Sequence, residues 1–372
     1  MRSLFPQSVL VVFFLLFLST SLLGEKNEFR KGIETHQDWF QRFDETHDYR
    51  VFYLLANRAG KVCDVAKAKE LTGFLKDHPE RREEVFKGWG IDLDIEAFNS
   101  KALEEWRTRF GKEAIDIKTR QYHVFATKKD KKMATVLAMY MDLIYKFYQK
   151  KFKMDEKVYG RFMVHLHPSE SSFRSTTKSS TSFAYFSAHR RALVGYTKAF
   201  KQPKDEKDYA IRLIHTFFHE GFHQFISYYV PNPPTWLNEG MAEIFEAVVF
   251  RGKKLYENKN LSNYNLRWLK EYMKQGQTTS LKELVYMTQK ELYNPSKINM
   301  HYAQCWGIIH FLAFGSSKNK KFYQDIIQEL KDGADRIEAI DKVFAKVDWG
   351  RFEKNYAIYI NRLKTTKAES KL

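Results

Sequence analysis

Apolar positions recur along most of this chain at helical spacing, and only a few short stretches alternate or run together. The clearest stripe lies at 130–153, where Met133, Val136, Leu137, Tyr140, Ile144, Phe147 and Tyr148 mark one face of a long amphipathic helix. Upstream, the aromatic-rich residues 35–57 predict a helix that stops near Gly60. Helices follow over 62–76, from Pro79, and over 101–110, where Gly111 ends the pattern. Strand signals are fewer. They are YHVFAT at 122–127, the alternating RFMVHLH at 161–167, and 183–187 with 192–196, a hairpin around His189 and Arg190. From Tyr209 onward the pattern is nearly all helix, over 209–229, from about Asn238, after the capping box Ser280-x-x-Glu283, over 300–314 and over 349–363. The fold class is therefore α+β, mostly helical, with a small mixed or antiparallel sheet and no internal repeat.

A chain of 372 residues, 44% hydrophobic and 16% aromatic, has material for one large or two average globular domains. Its first residues change the picture. Arg2, the apolar run 9–18 and the small polar residues Ser19, Thr20, Ser21 and Gly24 have the build of a secretory signal peptide over 1–24. The competing reading is an uncleaved anchor helix, for which the run is short. Export to a periplasm, cell surface or medium permits disulfides. The two cysteines, Cys63 and Cys305, either form one bridge or stay buried and reduced. A net charge of +17 attracts anionic surfaces, such as acidic envelope polymers or lipid head groups. The lysines are spread along helices as solvated faces. No zinc-finger spacing, RNP pattern or P-loop points to nucleic acid. The oligomeric state leaves no mark in the sequence.

Candidate chemistry concentrates in HTFFHEGFHQFISYYVPNPPTWLNEGMAEIF, residues 215–245. His219-Glu220-Gly221-Phe222-His223 fits His-Glu-x-x-His. The two histidines lie one helical turn apart on one face, where they can grip a single metal ion. Glu220 between them is positioned to be a general base. A hydrolytic Zn2+ site needs a third protein ligand and a position left for water. Glu239 supplies it if the turn at 231–234, rich in proline, folds the next helix back beside the first. Glu243, one turn further on, is then placed to accept the free ring N–H of a ligand histidine, with Glu246 a weaker competitor. His215 is read as a packing or hydrogen-bonding residue. The lack of a Gly-x-x-His continuation after His223 argues against the metzincin arrangement.

These segments resemble the gluzincin zinc metallopeptidases (peptidase MA-like, thermolysin- and M1-type), in which His-Glu-x-x-His is followed by a Glu within W-L-N-E-G, here Trp236 to Gly240. Tyr122 to Phe125, Trp236 to Phe245 and Tyr302-Ala303-Gln304-Cys305-Trp306 are similar, more narrowly, to an uncharacterised exported bacterial family of peptidase-MA-like domains. Cys305 stands where that family usually has Ser. The resemblance covers about residues 118–345. It implies a metallopeptidase domain over 116–345, set between the leader 1–24 and helical N-terminal subdomain 25–115, and the C-terminal helix and tail 346–372, which the residue pattern gives. It also implies hydrolysis of a peptide or protein substrate, and a Tyr that holds the oxyanion. Tyr302 is the candidate, with His301 behind it, and a core aromatic is the competing reading. By the same analogy the hairpin 183–196 is the sheet edge that takes the substrate, with Arg190 and Arg191 favouring acidic side chains. Two other readings stay open: a catalytically weak or inactive binding module on anionic envelope material, and a surface protein in which metal is only a structural staple.

Overall fold

The computed structural model describes residues 36–364, except 59–64, 90, 92–94, 155–160, 178–182, 189, 198–205, 231, 258–262 and 333. Residues 1–24, expected to be a leader, lie outside the described residues, as do Cys63, His189 and 365–372.

Where the aromatic pattern predicts one helix over 35–57, two are found, α1 (His36–Thr46) and α2 (Tyr49–Arg58). His47 takes a left-handed φ of 46°, and the Asp48 carboxylate accepts from the Arg50 backbone N–H at 2.8 Å, restarting the helix. Hydrophobic periodicity is blind to such a break, because both pieces keep an apolar face. Next come α3 (Val65–Asp77), a 3-10 turn at Pro79–Arg81 and α4 (Arg82–Gly88). Phe40, Phe43, Phe52 and Phe86 form their own aromatic core, with ring centroids 5.4 to 5.7 Å apart. The next helix, α5 (Ile95–Phe110), packs elsewhere: Leu103 and Trp106 cover one face of the sheet.

That sheet is mixed. Its strands are β1 (Ala114–Lys118), β2 (Tyr122–Thr127), β3 (Phe162–His167), β4 (Ala184–Ser187) and β5 (Ala192–Tyr196), in spatial order β1-β2-β3-β5-β4. The two outer pairs are antiparallel, while β3 runs parallel to β2 and β5. The alternation at 161–167 suggests a strand with one wet face, yet all six residues of β3 are buried. Parallel central strands are covered on both sides, here by α5 on one face and by α6 (Lys131–Phe152) and α8 (Glu206–Ile226) on the other. β1 carries only intermediate burial and escapes a hydrophobic reading. A short helix, α7 (Glu170–Arg174), separates β3 from β4.

α6 matches its predicted stripe to within a residue at each end, and Lys153 closes it in a left-handed cap with φ 49°. After α8 come α9 (Thr235–Glu246), an unforeseen small hairpin β6 (Val249–Arg251) and β7 (Lys254–Tyr256), and then helices only. These are α10 (Asn263–Lys274), α11 (Leu281–Tyr286), α12 (Gln289–Leu292), α13 (Ile298–Phe314), α14 (Ser317–Lys331), α15 (Arg336–Phe344) and α16 (Trp349–Arg362). The Ser280–Glu283 capping box opens α11 as predicted. α13 is nearly all buried and packs behind α9.

Candidate metal centre

α8 divides its faces sharply. Phe217, Phe218, Phe222 and Phe225 turn into the core, while His219, Glu220 and His223 project from the other side. Gly221 lets this helix press on α6, since a Cβ there would lie 2.7 Å from Met141 Cε. The chain then reverses. Pro234 caps α9, its carbonyl accepting from the N–H groups of Leu237 and Asn238, so the second helix starts at Thr235, earlier than the sequence suggests. Gly240 fixes the depth of α9: a Cβ at that position would overlap the Cys305 carbonyl on α13. The small residue in Trp-Leu-Asn-Glu-Gly is thus a packing requirement. It sets Glu239 opposite the α8 histidines. Cys305 itself is a fully buried free thiol.

Three acceptor atoms converge. Glu239 Oε2 lies 3.7 Å from His219 Nε2 and 3.6 Å from His223 Nε2, and the two imidazole centroids are 5.0 Å apart. Glu239 is 2% exposed, and its Oε2 is buried without a hydrogen-bond partner. Such an atom is costly to bury unless a cation meets it.

The atoms facing away from this centre are all engaged. His219 Nδ1 donates to Glu246 Oε2 at 3.1 Å, His223 Nδ1 donates to Asn238 Oδ1 at 3.0 Å, and Glu239 Oε1 accepts from the Tyr293 hydroxyl at 2.5 Å. A proton held on each Nδ1 leaves both Nε2 lone pairs bare toward Glu239. The donor set, two imidazoles and one carboxylate, is what a zinc ion with a remaining exchangeable position takes.

The electrostatics agree. Burial opposes ionisation of Glu239, but His223, His219 and Tyr293 outweigh it and hold its pKa down at about 2. Burial likewise opposes a charged His219, yet the nearby Glu239 and Glu246 carboxylates push its pKa well up. The centre therefore favours positive charge. Glu220 is buried beside it, and burial raises its pKa. Its Oε2 accepts from the Phe186 N–H of edge strand β4 at 3.0 Å, so the base candidate lies between the candidate ligands and the sheet edge.

Several residues sit differently from expectation. Glu243 Oε1 is 3.9 Å from His219 Nδ1, whereas Glu246 makes the hydrogen bond at 3.1 Å. Asn265 on α10 donates to Glu243 and draws it aside. Burial, reinforced by the Glu246 charge, raises Glu243 to about 7. His219, Glu243 and Glu246 also come close enough to hold an ion. That grouping would use the protonated side of His219, so the set with Glu239 fits a metal better. His301 turns away and donates to the Leu292 carbonyl at 2.7 Å. His215 donates to the Glu246 carbonyl at 2.5 Å and packs on Phe250. Tyr302 lies beside Glu239, and burial followed by that negative charge pushes its hydroxyl far up, keeping it a donor. Its ring runs nearly parallel to that of Tyr293, with centroids 6.4 Å apart. Arg191 is 5% exposed and donates to the Tyr228 hydroxyl, so it is a core residue and not a substrate-facing one. Arg190 donates to the Thr176 carbonyl at 2.6 Å.

The roles of Asn238 and Tyr293 at the site are not foreseen from the sequence. Asn238 carries a local signal, since it precedes Glu239 and faces the last motif histidine across the turn. Tyr293 carries none, because it follows a four-residue helix whose position only the fold sets.

A family model described as "Protein of unknown function (DUF1570)" matches residues 213–333, a span that holds His219, Glu220, His223, Asn238, Glu239, Glu246, Tyr293 and Tyr302. No curated protein matches the chain. Over those residues the chain is similar to that family.

Proposed function

We propose that this protein is an exported zinc-dependent peptidase of gluzincin type. The observation that carries the reading is the buried, unpartnered Glu239 Oε2, set within 3.7 Å of two imidazole nitrogens whose other ring atoms are already bonded. His219, His223 and Glu239 would hold the ion. When bound, zinc supplies Lewis acidity to a scissile carbonyl and brings the pKa of a coordinated water to about 7.

The chain's own residues do the rest. Glu220 takes a proton from the attacking water and passes it to the leaving amine; burial keeps its proton affinity high enough for both transfers. Tyr302 remains protonated and is the donor to the developing oxyanion. Tyr293 spends its hydroxyl on Glu239 Oε1 and keeps the other oxygen turned to the histidines. β4, with one amide already aimed at Glu220, offers the edge along which an extended peptide adds as a further strand.

A purely structural ion calls for a fourth protein ligand. His215 is bonded to the Glu246 carbonyl instead. Among the described residues the set therefore ends at three. Elemental analysis tests the assignment. The parent should hold about one zinc per chain, and His219→Ala should lose most of it. Equal zinc in the two proteins would remove the ligand set.

A further inference from the structure

α10 turns its buried side, Asn265, Leu266 and Leu269, toward α9 and α13, and carries a line of aromatics on the other. Tyr264 is 56% exposed and Trp268 37% exposed; Tyr272 completes an i, i+4, i+8 series. Successive ring centroids are 6.0 and 5.8 Å apart, and the planes of Trp268 and Tyr272 differ by only 27°. The Arg267 guanidinium stands 6.0 Å from the Trp268 ring centroid. A contiguous row of partly exposed aromatics along one helix is the kind of patch that interaction sites use.

The chemistry of the face limits what it binds. Arg267 and Lys274 outnumber Glu271, and the whole chain carries +17, so the complement is anionic. Its apolar groups are all aromatic. The helix's leucines point inward, so no aliphatic side chain is offered to a lipid interior. Lys270 is taken up by the Asn361 and Leu363 carbonyls at the end of α16, which anchors the helix and keeps its outer face rigid. A row of aromatic rings with hydrogen-bonding edges, repeating once per helical turn and flanked by cations, suits a polymer of acidic ring units that each offer one apolar C–H face. Sugar rings present C–H faces to aromatic planes and carboxylates to Arg and Lys.

We propose that the outer face of α10, through Tyr264, Arg267, Trp268 and Tyr272, is a docking surface for an acidic polysaccharide. The surface lies on the helix whose buried Asn265 donates to Glu243, so it is tied to the body that carries the candidate centre. The proposal stands on the stripe alone and does not require peptidase activity.

The test titrates the full chain with polygalacturonate, neutral dextran, an oligodeoxythymidine and phosphatidylglycerol vesicles, each in low and moderate salt. The parent should prefer polygalacturonate. The triple variant Tyr264→Ala, Trp268→Ala, Tyr272→Ala should weaken that binding at least tenfold although its net charge is unchanged. Trp268→Ala alone, which disturbs the fold less, should weaken it severalfold. Parental affinity in the single and triple variants would assign the attraction to diffuse charge and overturn the proposal. So would no binding of polygalacturonate by the parent, or tighter binding to the vesicles, the oligonucleotide or dextran.

Discussion

Each of the three proposed ligand residues is held by a partner on its far side: His219 by Glu246, His223 by Asn238, and Glu239 by Tyr293. Loss of such a partner costs roughly 10–100-fold in metal affinity, because the ligand is freed to rotate or change tautomer. Asn238→Ala and Tyr293→Phe should therefore weaken zinc binding by about that factor in competition with a chromophoric chelator. Tyr302→Phe should leave zinc affinity unchanged and lower kcat. The opposite pattern, with Tyr302→Phe losing zinc and Tyr293→Phe losing only turnover, would exchange the roles of the two tyrosines. At this scale the sequence is readable where the geometry is local. The spacing of His219, Glu220 and His223 follows from one helical turn. The choice of Glu246 over Glu243 does not, since it depends on Asn265 reaching in from another helix.

Between elements, close approach matters most. Gly240→Ala would drive a methyl group into the Cys305 carbonyl and part α9 from α13. It should destabilise the fold by about 1–3 kcal/mol or more, seen as a lower urea midpoint, and displace Glu239 as well. The face of the sheet opposite α8 has its own vulnerability. His165 stacks on Phe125 and lies 5.6 Å from Trp106 of α5, and its Nε2 is buried without a partner. Burial, with His167 and Arg190 nearby, lowers the His165 pKa to about 3; burial, with Arg109 and Arg190, does the same to His167. Both folded-state values lie below the unfolded value of about 6.5. The stabilising effect of keeping them neutral is therefore complete above that pH and is lost as pH falls from it toward 3. At pH 5 the loss is about 2 kcal/mol for each histidine. Thermal melts should fall steeply between pH 6.5 and 5, and less so in His165→Phe. A parent melting temperature that stays flat across that range would show these histidines to be protonated in the fold. The amphipathic helices were legible because one stripe decides each of them. β3 misleads because its polar histidines are buried under α5, and β1 and the β6–β7 hairpin are too short and too wet to register.

Over the whole molecule, helices with a small mixed sheet follow from the apolar pattern, but the strand order β1-β2-β3-β5-β4 does not, since the parallel pairs depend on how the chain crosses back through α6 between β2 and β3, and through α7 and β4 between β3 and β5. No helix among the described residues is long and apolar enough to cross a membrane. The family match covers the helix pair and α13 but leaves out the sheet and the N-terminal helices, so the edge strand that contacts Glu220 lies beyond it. The proposed function rests on Glu220 as the base of a hydrolytic centre. It is tested most directly by peptide-library cleavage with zinc-loaded parent and Glu220→Gln at matched metal content. The parent should cleave, and the variant should be slower by about 10²–10⁴-fold while holding equal zinc. Equal cleavage rates in the two proteins would contradict it.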